Sequence, residues 1–224
     1  MSAEKVKQGQ EDYDLRIKNQ MGKMIDSYDN YMKRVTFGRE NKLRELTVGT
    51  AQVKNGDAVL EIGCATGSLT LAIKRKAGAT GKVFGIDIIP GMIERSKQKA
   101  AEQGVDAGFQ EGSIDNIPFP DSQFDVVICS FMIFHMSEGV RQKGIKEIYR
   151  VLRPGGRLFV LDLTLPQGGF SRSIMKVFLG FMFKHDLKEL FPLMESAGFS
   201  GLNLSRFPFR LIGLSLLSFV TGNK

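Results

Sequence analysis

Several short stretches of the chain bring glycines, hydroxyls and carboxylates into patterns able to hold a ligand. Val59-Leu60-Glu61-Ile62-Gly63-Cys64-Ala65-Thr66-Gly67-Ser68-Leu69-Thr70 reads as a buried strand that runs into a glycine-bracketed turn and then a helix. Gly63 and Gly67 permit tight turning and close backbone approach. Ser68 and its neighbours open a helix whose N-terminal amides favour a ligand carboxylate. The spacing is not G-x-G-x-x-G, which disfavours a pyrophosphate cradle for a dinucleotide. Asp87 ends the next apolar run, where a carboxylate can accept hydrogen bonds from both hydroxyls of a ribose. In residues 111–130, EGSIDNIPFPDSQFDVVICS, a polar turn follows one strand and Phe124-Asp125 opens another; such a turn would flank an adenine.

The elements that must position these groups alternate between Asp57 and Leu163. VLEIG (59–63), VFGIDI (83–88), FDVVICS (124–130) and RLFVLDL (157–163) are short, apolar and β-branched, and between them lie amphipathic stretches at 69–73, 92–101 and 140–152. Strands alternating with helices predict a parallel sheet covered on both faces. Gly81, Gly104 and Arg153-Pro154-Gly155-Gly156 punctuate the series, and Pro90 fits a first helical position. Residues 11–50 and 186–197 read as helical, and the apolar alternation from Leu202 through Leu211 and LSLLSFV reads as a final antiparallel pair.

Composition narrows the class. The chain has 224 residues, 42% hydrophobic and 25% charged, enough for one α/β domain with additions. Cys64 and Cys129 are its 2 cysteines, and they supply neither a disulfide framework nor a metal-ligand spacing, so no metal is expected and a reducing cytoplasm is. No apolar run approaches the ~20 residues of a membrane span, and no secretory signal is legible. The net charge of +7 is uneven: residues 1–54 carry 11 basic and 8 acidic groups, 55–164 carry 13 of each, and 165–224 carry 7 and 3. The positive excess lies in the flanks, as it would if they met an anionic membrane surface or nucleic acid.

Taken in order, VLEIGCATG, Asp87, IPFPDSQFDVV and VLRPGGRLFVLD resemble the class I S-adenosylmethionine-dependent methyltransferases over roughly residues 25–220. The resemblance implies a Rossmann-like doubly wound α/β sheet, mostly parallel with an antiparallel C-terminal strand. It implies an N-terminal helical cap over 1–50, a single methyltransferase domain over 51–224 and a helical lid insertion at about 166–185. It also implies a site for S-adenosylmethionine built from Tyr28, Glu61, Gly63, Cys64, Ala65, Gly67, Asp87, Ile88, Met92, Gly112, Ser113, Ile114 and Ser130. Two positions depart from the family pattern: Ala65 stands where a further glycine is common, and Ser113 where an acid commonly meets the adenine amino group. Upstream, Tyr28-Asp29-Asn30-Tyr31-Met32 and Arg34-Val35-Thr36-Phe37-Gly38-Arg39 are similar to the N-terminal signature of the ubiquinone and menaquinone C-methyltransferases and to bacterial phospholipid N-methyltransferases. In both groups this segment folds over the cofactor.

Methyl transfer from a sulfonium asks a protein mainly to align the acceptor and exclude water. Where a proton must also leave, His135, Tyr28 and Tyr31 are the candidates, with His185 on the cap; His185, beside Asp186, reads rather as a helix-start feature. The stretch GGFSRSIMKVFLGFMFKH (168–185) is apolar on nearly every face if helical, and 9 of the 17 phenylalanines follow residue 165. Such a cap suits a small lipophilic acceptor, a prenylated quinone or a phospholipid, and an enzyme that is cytoplasmic or peripheral at the inner face of the membrane. The rival readings are an RNA or protein methyltransferase, disfavoured because no added nucleic-acid module is legible, and a noncatalytic cofactor-binding protein on the same fold.

Overall fold

The computed structural model describes residues 19, 21–164, 186–210, 213 and 215–224. The expected lid insertion at 166–185, His185, the start of the expected N-terminal helix and Leu211 lie outside the described residues.

After a single 3-10 turn at Ile25–Ser27 come helices α1 (Tyr28–Val35) and α2 (Glu40–Thr50). The alternating core follows as β1 (Ala58–Ile62), α3 (Ser68–Ala77), β2 (Lys82–Asp87), α4 (Pro90–Glu102), β3 (Gly108–Glu111), β4 (Phe124–Ser130), α5 (Glu138–Val151) and β5 (Leu152–Leu163). The chain ends with α6 (Leu190–Ala197), β6 (Ser200–Arg206) and β7 (Leu217–Asn223). Asp186 caps the 3-10 turn that leads into α6 in a reciprocal capping box with Glu189, which satisfies orphan amides at the helix start.

The seven strands form one sheet in the order β3-β2-β1-β4-β5-β7-β6. All neighbours from β3 to β5 are parallel, and β7 pairs antiparallel with both β5 and β6. This is the doubly wound sheet with antiparallel C-terminal strands that the strand and helix pattern predicts. The apolar runs are near-continuous because parallel strands are buried on both faces. Leu60, Ile62, Val127, Cys129, Leu158 and Val160 turn to the layer of α5 and α6, whereas Val59, Val126, Ile128, Phe159 and Leu161 turn to α2 and α3. The order reverses between β1 and β4, and there the carboxyl ends of the strands open a crevice for ligands.

Candidate active site

Each strand that ends at this crevice contributes through the loop that follows it. Beyond β1 the backbone enters the left-handed region three times, at Gly63 (φ 72°), Ala65 (φ 46°) and Gly67 (φ 75°). For an alanine this conformation costs on the order of 1–3 kcal/mol. The Ala65 amide is held by a 2.9 Å hydrogen bond to Asp87 Oδ2, and Asp87 Oδ1 accepts from the Ile89 amide at 3.0 Å. Asp87 is thus a buried carboxylate that ties the two ligand loops together. Burial pushes its carboxyl up, and the amides of Ala65, Ile89 and Ile88 oppose that shift. Each carboxylate oxygen keeps acceptor capacity beyond the one amide it receives.

A cavity of ≈ 60 Å³ lies over the crevice. It brings together Tyr28, Glu61, Gly63, Cys64, Ala65 and Ser130 of the residues expected from sequence, and adds Asp29, Met32, Arg44 and Thr66. Tyr31, which is 42% exposed, and His135, exposed on the 3-10 turn after β4, do not line it. Met92 and Ile114 are fully buried core side chains. Ile88 packs beside Met92, and Ser113 hydrogen bonds Asp115. Gly67 is also closely packed, because a Cβ there would stand 2.8 Å from Phe109 and 2.9 Å from Ser96. Gly112 is similar, its Cβ direction filled by the Pro118 ring at 2.9 Å.

Two groups in the cavity have protonation states set by their surroundings. Glu61 is buried under α3, receives the Thr70 hydroxyl and is pushed up to about 8 by burial. Burial, with the charges of Glu61 and Asp87 added, raises the Tyr28 phenol far above its usual value. The shift favours the protonated phenol, a hydrogen-bond donor, over the phenolate.

Beside the N-terminus of α3 lies a carboxylate of the protein, which bonds side-chain hydroxyls and not the helix amides. Asp29 on α1 accepts from the Thr66 hydroxyl at 2.8 Å and the Ser68 hydroxyl at 3.3 Å. Lys99 of α4 joins all three groups, with Nζ 2.6 Å from Asp29, 2.9 Å from Thr66 and 2.7 Å from Ser68. Burial alone would raise the Asp29 carboxyl; Lys99, Thr66 and Ser68 outweigh it and hold the group below the usual carboxylate range. This latch fixes α1 over the glycine turn. The cavity is smaller than the about 300–1,000 Å³ usual for small-ligand sites. Of the helices over it, α1 has no fully buried residue, whereas α2 buries Leu43, Thr47 and Val48.

The strand-end carboxylate, the left-handed turn and the Ser130 hydroxyl fit a ligand with a ribose and a polar tail. A methyltransferase-domain family model matches residues 59–156. The ubiquinone/menaquinone biosynthesis C-methyltransferase UbiE of Escherichia fergusonii is 33% identical over 145 residues, 64% of this chain and 57% of that protein, so the match spans little more than half of that relative. The demethylmenaquinone methyltransferase of Geobacillus sp. is 32% identical over 191 residues, 81% of this chain and 80% of that protein. Among solved structures, a SAM dependent methyltransferase from Aquifex aeolicus superimposes with a TM-score of 0.65 at 21% identity, covering 90% of this chain and 97% of that one, which supports the fold. On the sheet order, the site and this relationship, the chain belongs to the class I S-adenosylmethionine-dependent methyltransferases.

Proposed function

We propose that the protein methylates a small lipophilic acceptor of the quinol or phospholipid kind, with the relationship to a demethylmenaquinone methyltransferase over most of both chains as the carrying observation. S-adenosylmethionine, when bound, supplies an electrophilic methyl group. Asp87 would hold the ribose hydroxyls; Gly63, Ala65 and Ser130 would hold the remainder; and Tyr28 would donate a hydrogen bond from the cap. Closure of α1 by the Asp29–Lys99 latch would exclude water and fix the acceptor in line. His135, on the 3-10 turn that follows β4, would take a proton from the acceptor, and Tyr31 would line the acceptor's entry. The apolar stretch 168–185 and the basic flanks fit an acceptor drawn from a membrane surface, although among the described residues no helix is long and apolar enough to cross a membrane.

The test is incubation of the purified chain with methyl-labelled cofactor and separate lipid, RNA and protein fractions of a cell, with mass identification of the product. Label in a ring carbon of a prenylated quinol, or in a phospholipid amine, is the expected outcome. Label in RNA or protein alone overturns the reading.

A further inference from the structure

Among the described residues, five that are not glycine hold a positive φ: Phe37, Gln52, Ala65, Ser122 and Phe131. Two of them, Ala65 and Phe131, line the cavity over the crevice. A bulky side chain rarely adopts this conformation, and φ is 56° at Phe131, the residue that follows β4. Its neighbours hold it there. The Phe131 amide donates to the Leu161 carbonyl of β5 at 2.9 Å, and Met132 and Ile133, next in the chain, are buried in the core beneath α5 and α6. A Cβ on Gly63 would stand 3.0 Å from Met132, so the loop that carries Phe131 is pressed against the glycine turn.

The left-handed step decides which way the ring goes. Successive side chains of a strand alternate between its faces, and along β4 Val127 and Cys129 turn to the layer of α5 and α6. A continued strand would send Phe131 the same way. It packs instead with the cluster under α2 and α3, and so reaches the cavity. Core packing alone does not call for a strained backbone, whereas a site that must present one particular ring does.

What the ring meets follows from the sheet order β3-β2-β1-β4. With the ribose on Asp87 at the end of β2 and the adenine toward the loop after β3, the rest of the cofactor extends over β1 toward β4. Neighbouring strands lie about 4.8 Å apart, which sets the end of β4 roughly 10 Å from that of β2, on the side away from the adenine. The sulfonium belongs to that side, one carbon beyond the ribose, and it is a cation. The carboxylates that line the cavity are already bonded: Asp29 within the latch, Glu40 to the Thr36 hydroxyl at 3.3 Å and Glu61 to the Thr70 hydroxyl. Arg44, the cation among the lining residues, repels a second positive charge. An aromatic face attracts one, and of the two rings that line the cavity, Tyr28 and Phe131, Phe131 is the one at the end of β4.

We propose that Phe131 presents its ring to the sulfonium of S-adenosylmethionine and so discriminates the charged cofactor from its neutral thioether product. The inference rests on the assignment of this cavity to the cofactor. Methyl transfer breaks the bond between the methyl carbon and sulfur and leaves its electron pair on sulfur, so the attraction ends with the reaction and favours exchange of product for fresh cofactor.

The experiment measures affinities by calorimetry without any acceptor, and so stands apart from the transfer assay. A wild type that binds neither S-adenosylmethionine nor S-adenosylhomocysteine would sink the cofactor assignment and this inference with it, whereas the ratio between the two affinities judges Phe131 alone. Phe131→Leu is expected to weaken S-adenosylmethionine by about three- to thirtyfold, the range of a cation–π contact from partly exposed to desolvated sites. S-adenosylhomocysteine should change by less than about twofold, well below that range. Sinefungin, which carries an ammonium in place of the sulfonium, should weaken along with S-adenosylmethionine, and Phe131→Tyr should keep the wild-type ratio. Phe131→Gly, which removes the ring and the left-handed strain together, is read by the same ratio if Phe131→Leu does not fold. An unchanged ratio, whether both ligands weaken or neither does, overturns the proposal in favour of a ring that only shapes the pocket. Weakening of S-adenosylmethionine with sinefungin unaffected overturns it in favour of a contact to the methyl group.

Discussion

The two sides of the crevice treat charge in opposite ways. On the β1 side, Asp29, Lys99, Thr66 and Ser68 satisfy one another within 3.3 Å, and Asp87 is held by two amides. On the β4 side, Arg141 is equally buried and has only an aromatic face for company. Both regions stand at the same edge of one sheet, so the contrast is not one of general burial. A satisfied network rigidifies its surroundings, whereas an unsatisfied buried ion is stability given up for a ligand. The glycine turn is therefore held by groups that pair with one another, whereas the first turns of α5 keep a buried cation whose Nη1 has no partner among the described residues.

Substitutions that act on one side alone can break this contrast. The largest effect is expected for Gly63→Val, whose Cβ would meet Met132 at 3.0 Å from a backbone with φ 72°. Left-handed strain and overpacking together, about 2–5 kcal/mol, should lower S-adenosylmethionine affinity about a hundredfold by calorimetry. Retained wild-type affinity in a folded Gly63→Val protein would overturn the assignment of this turn to the cofactor. Lys99→Met comes next. It removes the donor shared by Asp29, Thr66 and Ser68, and with Asp29 42% exposed in its side chain the cost is discounted to about 2 kcal/mol, or some 4–8 °C of melting temperature. That loss, set against a melting temperature that holds or rises in Arg141→Met, whose buried charge has no ion pair among the described residues, is the sharpest form of the comparison. The Asp29 carboxyl is depressed in the folded protein, so its share of the stability is present above the ordinary carboxyl value of about 4 and is lost as pH falls through the lower folded value. The melting difference between wild type and Lys99→Met should accordingly narrow in acid. The smallest effect belongs to Ala65→Gly, which relieves the left-handed strain at φ 46° and should raise stability by up to about 1 kcal/mol with little change in cofactor affinity. A lower melting temperature there would show that the turn is not strained.

The sheet was legible because its strands are apolar runs and because a glycine-bracketed turn and a strand-end carboxylate have few other uses. The latch was not, since Asp29 and Lys99 are polar residues on amphipathic helices 70 positions apart, and each reads in isolation as part of a solvated face. Gly67 was legible as a glycine but not for its reason, which is Phe109 and Ser96 pressing against it. Arg141 left a signal that went unread: it sits four residues before Ile145 and seven before Ile148, on the apolar stripe of α5. A charge at a stripe position is either paired across the core or waiting for a partner, and periodicity does not distinguish the two.

The latch also imposes an order on the making of the molecule. Asp29 leaves the ribosome seventy residues ahead of the lysine that will hold it. At about 5–20 residues per second that is roughly 4–14 s, during which α1, with no fully buried side chain of its own, has nothing to dock against. The part of the chain synthesised early is therefore assembled late, after β1, α3, β2 and α4 have come together, and the cap closes on a sheet that already exists.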